Sequence, residues 1–225
     1  MKNGIISIGG KILGYLITLT VLGLAAVYCY QFPIKNIEVY ATFNYLKPDI
    51  FNVELIEIAK NERFFTLDTK ALKQRLLALE PWLYAVNISR AWPGILKIYL
   101  VEQKPYLRWQ NALINHQGQL FKPKAPLPTQ LPQLIGSEND LTKMFNFYER
   151  AAAILESIDL TITELTLTST GWKICCDSLV IFAHTSGALE ALNRMTNFYR
   201  KLLANHVNPP QYIDLRYTSG LALKW

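Results

Sequence analysis

LDTKALKQRLLALEPWLYAVNISRAWPGILKIYLVE, residues 67–102, decides how this chain is read. Leu67-Asp68-Thr69 is a helix cap: an oxygen there can accept from backbone N–H groups that the first helical turn leaves without partners. Leu72, Leu76 and Leu79 follow at helical spacing, and Pro81 ends the helix. WLYAVNISRAW and ILKIYLVEQ then flank Pro93-Gly94, a turn pair. In the second arm Ile98 and Leu100 alternate with Lys97, Tyr99 and Val101, the period of a half-buried strand. The stretch predicts a helix followed by a hairpin.

Toward the amino terminus, IKNIEVYA (34–41) alternates Ile37 and Val39 with Asn36, Glu38 and Tyr40, which predicts a short strand. Pro48 and Asp49 open a further helix through VELIEIAK (53–60). The order β-α-α-β-β over residues 34–102 is one small domain.

From Ile12 to Ile34 the chain carries no charge. As a helix this run is about 35 Å long, against about 30 Å for a hydrocarbon core. A helix satisfies its own backbone hydrogen bonds and can cross a bilayer alone. The expected organisation is a tail over 1–11, a transmembrane helix over 12–32 and a body beyond. Lys2 and Lys11 precede the run with no acid, while Lys35 and Glu38 follow it. Positive charge favours the cytoplasmic side, so the N-terminus is expected inside and the body outside. Tyr28, Tyr30 and Phe32 fit an outer aromatic belt. A cleaved signal peptide has a shorter apolar core, and a lipoprotein site at Cys29 would need a small residue where Tyr28 stands.

Toward the carboxyl terminus, Lys104-Pro105 begins a second region, 103–225. Four prolines between 123 and 132 mark an irregular connection. Leu141, Phe145, Tyr148, Ala152 and Leu155 predict a helix face within 140–158. TELTLTS reads as a strand, and GWKICC and LVIFAH as a hairpin around Asp177-Ser178. Leu189, Leu192, Met195, Tyr199 and Leu202 form one stripe of a helix over 188–205. QYIDLRYTSGLALKW closes the chain as two short strand pieces around Ser219-Gly220. Ile213, Leu215 and Tyr217 share one face and are expected to be buried, leaving Tyr212, Asp214 and Arg216 exposed.

Little of this is catalytic. His116, His184 and His206 lie far apart without metal-ligand spacing. Nucleophile-elbow, zincin, P-loop and dinucleotide-binding patterns are absent. Cys175 and Cys176 are adjacent in an apolar strand, where neighbours point to opposite faces; one should face the core. Past the span, residues 33–225 hold 21 Lys and Arg against 17 Asp and Glu, a mild and dispersed excess of +4 with no basic stripe for nucleic acid. The reading is a protein without enzymatic activity, cofactor or metal. Strand edges are what the body offers a partner, and the last segment is rich in the Tyr, Arg and Trp types that dominate interfaces.

The chain resembles the FtsQ/DivIB division proteins, the proteobacterial FtsQ branch in particular. The carriers are IKNIEVYA, Phe65-Thr66-Leu67-Asp68, Pro81-Trp82 with Val86, Trp92-Pro93, and Val101-Glu102 before Lys104-Pro105. Trp109, Asn115, Gly118, Phe121, LPQLIGSE, Trp172 and above all YIDLRYTSGLALKW continue the match. The resemblance implies an α+β protein: one N-terminal transmembrane helix, a POTRA domain over 34–102 and a β domain of antiparallel sheet with packed helices over 103–225. It implies a division scaffold of the inner membrane that binds FtsB and FtsL in the periplasm and links early cytoplasmic to late septum-building components. The POTRA part would serve septal targeting and other division proteins. The FtsB-facing residues by position are Tyr217, Ser219, Gly220 and Trp225, and Tyr212 and Arg216 are the neighbouring candidates. Where the family often has a basic residue just before the tryptophan matched by Trp172, this chain reads Ser169-Thr170-Gly171. The alternative is another POTRA-bearing membrane protein, a chaperone-like or secretion module.

Overall fold

A computed structural model describes residues 2–45, 56–58, 61–124, 127–128, 130–204, 210–217 and 220–225, with the backbone alone over 2–12 and 202–204. The chain divides into two compact units, Met1–Gln103 and Lys104–Trp225.

The first unit begins with α1 (Lys2–Gln31), a single helix that runs back through the tail. Its apolar part, Leu13–Gln31, is long enough to cross a membrane and has no buried residue. Leucines are exposed on all its sides, as in a helix whose solvent is lipid. Three strands follow, β1 (Asn36–Ala41), β2 (Leu83–Ala91) and β3 (Ile95–Glu102), in the sheet order β1-β3-β2. β2 and β3 form the predicted antiparallel hairpin, and β1 joins β3 in parallel. Leu96, Ile98, Leu100 and Glu102 point inward, while Tyr99 and Val101 are exposed, so the period-2 reading of this arm holds.

α2 (Thr69–Leu79) lies between β1 and β2. The Asp68 carboxylate accepts from the N–H groups of Lys70 and Ala71, which is the predicted cap. Leu72 and Leu76 are buried, but Leu79, expected on the same stripe, is exposed in the last turn. The helix predicted from Pro48 lies mostly outside the described residues; Ile56–Ile58 is helical. The buried Glu102 carboxylate accepts from the backbone N–H groups of Asn44 (2.7 Å) and Tyr45 (2.9 Å), tying the chain after β1 to the end of β3.

The described residues of the second unit form nine strands in one sheet: β4 (Pro105–Trp109), β5 (Ala112–Asn115), β6 (Leu120–Phe121), β7 (Gln133–Ile135), β8 (Ile162–Thr168), β9 (Gly171–Cys176), β10 (Val180–Ala183), β11 (Tyr212–Asp214) and β12 (Ala222–Lys224). Their order is β12-β11-β10-β9-β8-β7-β4-β5-β6. Hairpins supply the antiparallel joints; β4–β7, β7–β8 and β10–β11 pair in parallel. The sheet is thus mixed, because α3 (Leu141–Glu156) follows β7 and α4 (Ala188–Ala204) follows β10, and a crossover helix returns the chain in the same direction. The described residues of the proline-rich stretch form no helix or strand.

Both helices share one core with the sheet, around Leu134, Met144, Leu155, Leu165, Ile181, Leu192 and Ile213. In α4 the predicted stripe is buried at Leu192, Met195 and Tyr199. In α3 the buried side is Met144, Phe147, Tyr148, Ala151 and Leu155, whereas the predicted Leu141, Phe145 and Ala152 are half-buried. The sheet chose the centre of the face: Phe147 stacks flat on Trp172, ring centroids 4.0 Å apart. Asn115 explains its own place in the resemblance. Buried, it accepts from the N–H groups of Gln117 and Gln119 and so folds the β5–β6 turn. Gly118 sits in that turn at φ +75°, where a side chain would be strained and would press on Phe145.

Candidate functional site

Among the described residues β12 is the last strand of the sheet order and pairs with β11 alone, through Tyr212↔Lys224, Ile213↔Leu223 and Asp214↔Ala222. The closing segment therefore forms a sheet edge. Ile213 lies in the core, and the Leu215 N–H donates to the Phe182 carbonyl at 2.7 Å, carrying the contact with β10 one residue past β11.

From Asp214 onward the alternation read from the sequence breaks. Asp214 is buried, not exposed, and Tyr217 is 58% exposed, not buried. The cause is local. The Asp214 carboxylate accepts from the Arg216 backbone N–H at 3.0 Å, an Asx turn that ends the strand before Tyr217. The same carboxylate takes the Arg216 guanidinium in a fork, Nε at 2.9 Å and Nη2 at 2.6 Å. Arg216 and the backbone N–H hold the Asp214 carboxyl below its ordinary range. The guanidinium also lies over the Phe182 ring, 5.4 Å from its centroid, and Phe182 meets Tyr212 edge-on. Arg216 and Tyr212 are thus joined through Phe182, and Arg216 is a paired cation.

An open depression of about 440 Å³ lies beside this pair. Ser169 and Thr170 of the β8–β9 turn, His184 and Thr185 after β10, and Asp214, Arg216 and Tyr217 line it. Gly171 shapes its wall. At φ +133° it takes a conformation rare for other residues, and a Cβ there would collide with the Ala183 carbonyl. Sequence reasoning singled out Ser169-Thr170-Gly171 as a departure from the family pattern but did not bring it together with His184 and Asp214.

Of the other candidates, Trp225 is 42% exposed just past β12, and Gly220 is exposed with open space around its α-carbon. Ser219 and His206 lie outside the described residues. His116 stacks on Tyr106 in the second unit, centroids 4.1 Å apart. Among the described residues no group of three or more His, Cys, Asp or Glu could hold a metal ion. Cys176 faces the core as expected of one of the pair, and burial pushes its thiol up to about 12. Cys175 is half-buried beside Glu164.

Known proteins share both units. Residues 32–103 match the POTRA domain, FtsQ-type, and residues 107–216 match the cell division protein FtsQ/DivIB, C-terminal family. The cell division protein FtsQ of Coxiella burnetii is 32% identical over 171 residues, covering 72% of this chain and 68% of the relative. That of Hahella chejuensis is 29% identical over 197 residues, 86% of this chain and 70% of the relative. That of Escherichia coli is 24% identical over 203 residues, 87% of this chain and 74% of the relative. A membrane-length apolar helix, a POTRA domain and the FtsQ-type sheet domain, in that order and with these relatives, mean that the chain belongs to the FtsQ/DivIB family of membrane-anchored cell division proteins.

Proposed function

We propose that the β12 edge receives a strand of FtsB, with FtsL joining the same assembly, and that the protein works as a non-catalytic scaffold of the septum. The N-terminus then lies in the cytoplasm, and the chain beyond α1, both the POTRA part and the second unit, in the periplasm, as the Lys2 and Lys11 bias favours. The POTRA unit would add septal targeting and contacts with other division proteins. The observation that carries this reading is the edge itself: among the described residues β12 is paired on one side only. An added strand draws affinity from backbone hydrogen bonds and specificity from alternate side chains. Trp225 directly follows β12 and Gly220 lies two residues before it; both are exposed, as is Tyr217 past the end of β11, and Ser219 lies between them in sequence.

The test is capture of the periplasmic parts of FtsB and FtsL by the detergent-solubilised full chain. Tyr217→Ala and Trp225→Ala should each cost about 2 kcal/mol or more, roughly thirtyfold in affinity, with circular dichroism unchanged. If a chain ending at Arg216 keeps both its fold and its FtsB affinity, the binding site is elsewhere.

A further inference from the structure

The anchor does not leave the membrane through a loose linker. Phe32, the first residue after α1, is buried among Tyr28, Phe64, Phe65 and Trp92; it stacks on Trp92 at 4.9 Å between centroids and meets the other three at 5.7–6.0 Å. The backbone is clamped on both sides. The Phe64 N–H donates to the Phe32 carbonyl at 2.9 Å, and the Lys35 N–H donates to the Gly94 carbonyl at 2.8 Å. Arg90 holds the Phe64 turn in place by donating to the carbonyls of Phe64 and Leu67. Gly94, at φ +80°, lets the β2–β3 turn close on this peptide; a Cβ there would lie 3.0–3.2 Å from Lys35, Pro33 and Phe32.

Apart from the buried Phe64, the rings around Phe32 remain open to solvent on their outer side. Trp92 is 66% and Phe65 46% exposed, as are Tyr28 and Tyr30 at the end of the helix. Their depth follows from the span. Leu13–Gln31 is 19 residues, about 28 Å as a helix, which nearly fills a hydrocarbon core of about 30 Å. Phe32 therefore stands at the boundary where α1 leaves the bilayer. Rings packed directly on it lie within about one helical turn of that level. This is the depth at which Trp and Tyr concentrate in membrane proteins, with an apolar body in the acyl region and a polar edge toward the headgroups. Lys35, its ammonium 5.2 Å from the Phe32 ring centroid, and exposed Arg63 supply cations on the same rim, next to exposed Glu62.

We propose that the rim of the first unit is itself a membrane-contacting surface: Trp92 and Phe65 insert into the headgroup region of the leaflet that α1 leaves, and so fix the orientation of the POTRA domain against the bilayer. The occupant is the lipid interface, because the patch is continuous with the spanning helix through Phe32.

The experiment is quenching of tryptophan emission in the full chain, reconstituted into phosphatidylcholine vesicles with or without lipid brominated near the top of the acyl chains. Wild type should show a quenched, blue-shifted component that disappears in Trp92→Phe. It should return in the double variant Trp92→Phe with Phe65→Trp, which also guards against a loss caused by local unfolding. Equal quenching in wild type and Trp92→Phe, or no quenching in wild type, overturns the proposal; a protein partner covering Trp92 would give the latter.

Discussion

Asp214 and Arg216 are two residues apart, and their pairing changes what both can do. A forked guanidinium–carboxylate contact is short and directional, so it fixes the turn as well as the charges. Arg216 therefore meets a partner as half of a neutral pair stacked on Phe182, not as a lone positive charge. Because the Asp214 carboxyl is held below 3.8, the unfolded chain takes up its proton first as pH falls. The pair's contribution to stability is complete above that value and is lost as pH drops through the folded pKa. A carbon-detected titration should give Asp214 a midpoint below 3.8, and Arg216→Lys, which removes the fork, should move it upward. Gly220 offers a second single-residue test. Open space surrounds its α-carbon, so Gly220→Ala should leave FtsB capture within about twofold of wild type. Gly220→Pro removes a backbone N–H beside β12 and should weaken capture by roughly tenfold or more, about 1.4 kcal/mol.

Elements here are held by their ends. α2 starts on the Asp68 carboxylate, and the helix has no acidic residue in its first turn to share that role. Asp68→Ala should lower the unfolding free energy by about 1 kcal/mol in a denaturant titration, with little change in slope. β9 and β10 approach closely only because position 171 lacks a side chain. Gly171→Ala must displace the Ala183 carbonyl and strain the backbone, so it should destabilise the second unit more than Asp68→Ala destabilises the first. The β12 edge is three residues long, a length that limits pairing with unintended strands while leaving backbone groups for a chosen one.

For the molecule as a whole, the described residues form one apolar N-terminal helix, then a three-stranded sheet in the first unit and a nine-stranded sheet in the second. A reporter active only in the periplasm, fused after Trp225, should be active, and a cytoplasmic reporter there should be silent. The reverse pattern would invert the proposed topology. If the helix is an uncleaved anchor, the protein should stay in the membrane fraction after an alkaline wash and retain the segment before Leu13.

Local signals settled much of this by themselves. The Asp68 cap, the β2–β3 alternation, the uncharged span and the stripe of α4 each depend on neighbours within a few residues, and a short window contains all their causes. YIDLRYTSGLALKW was likewise legible as two strand pieces at a sheet edge. Tertiary structure decided what the window lacks. The face of α3 turned toward Trp172, because a flat aromatic stack across the core outweighs half-buried contacts elsewhere on the helix. The strands over 105–115 and 133–135, too short to announce a period, exist because neighbouring strands pair with them. Tyr217 left the core and Asp214 entered it because one carboxylate captured the N–H and guanidinium of Arg216 and ended the strand. Alternation predicts faces only while the backbone stays extended, and a side chain that bonds its own backbone two residues on brings that condition to an end.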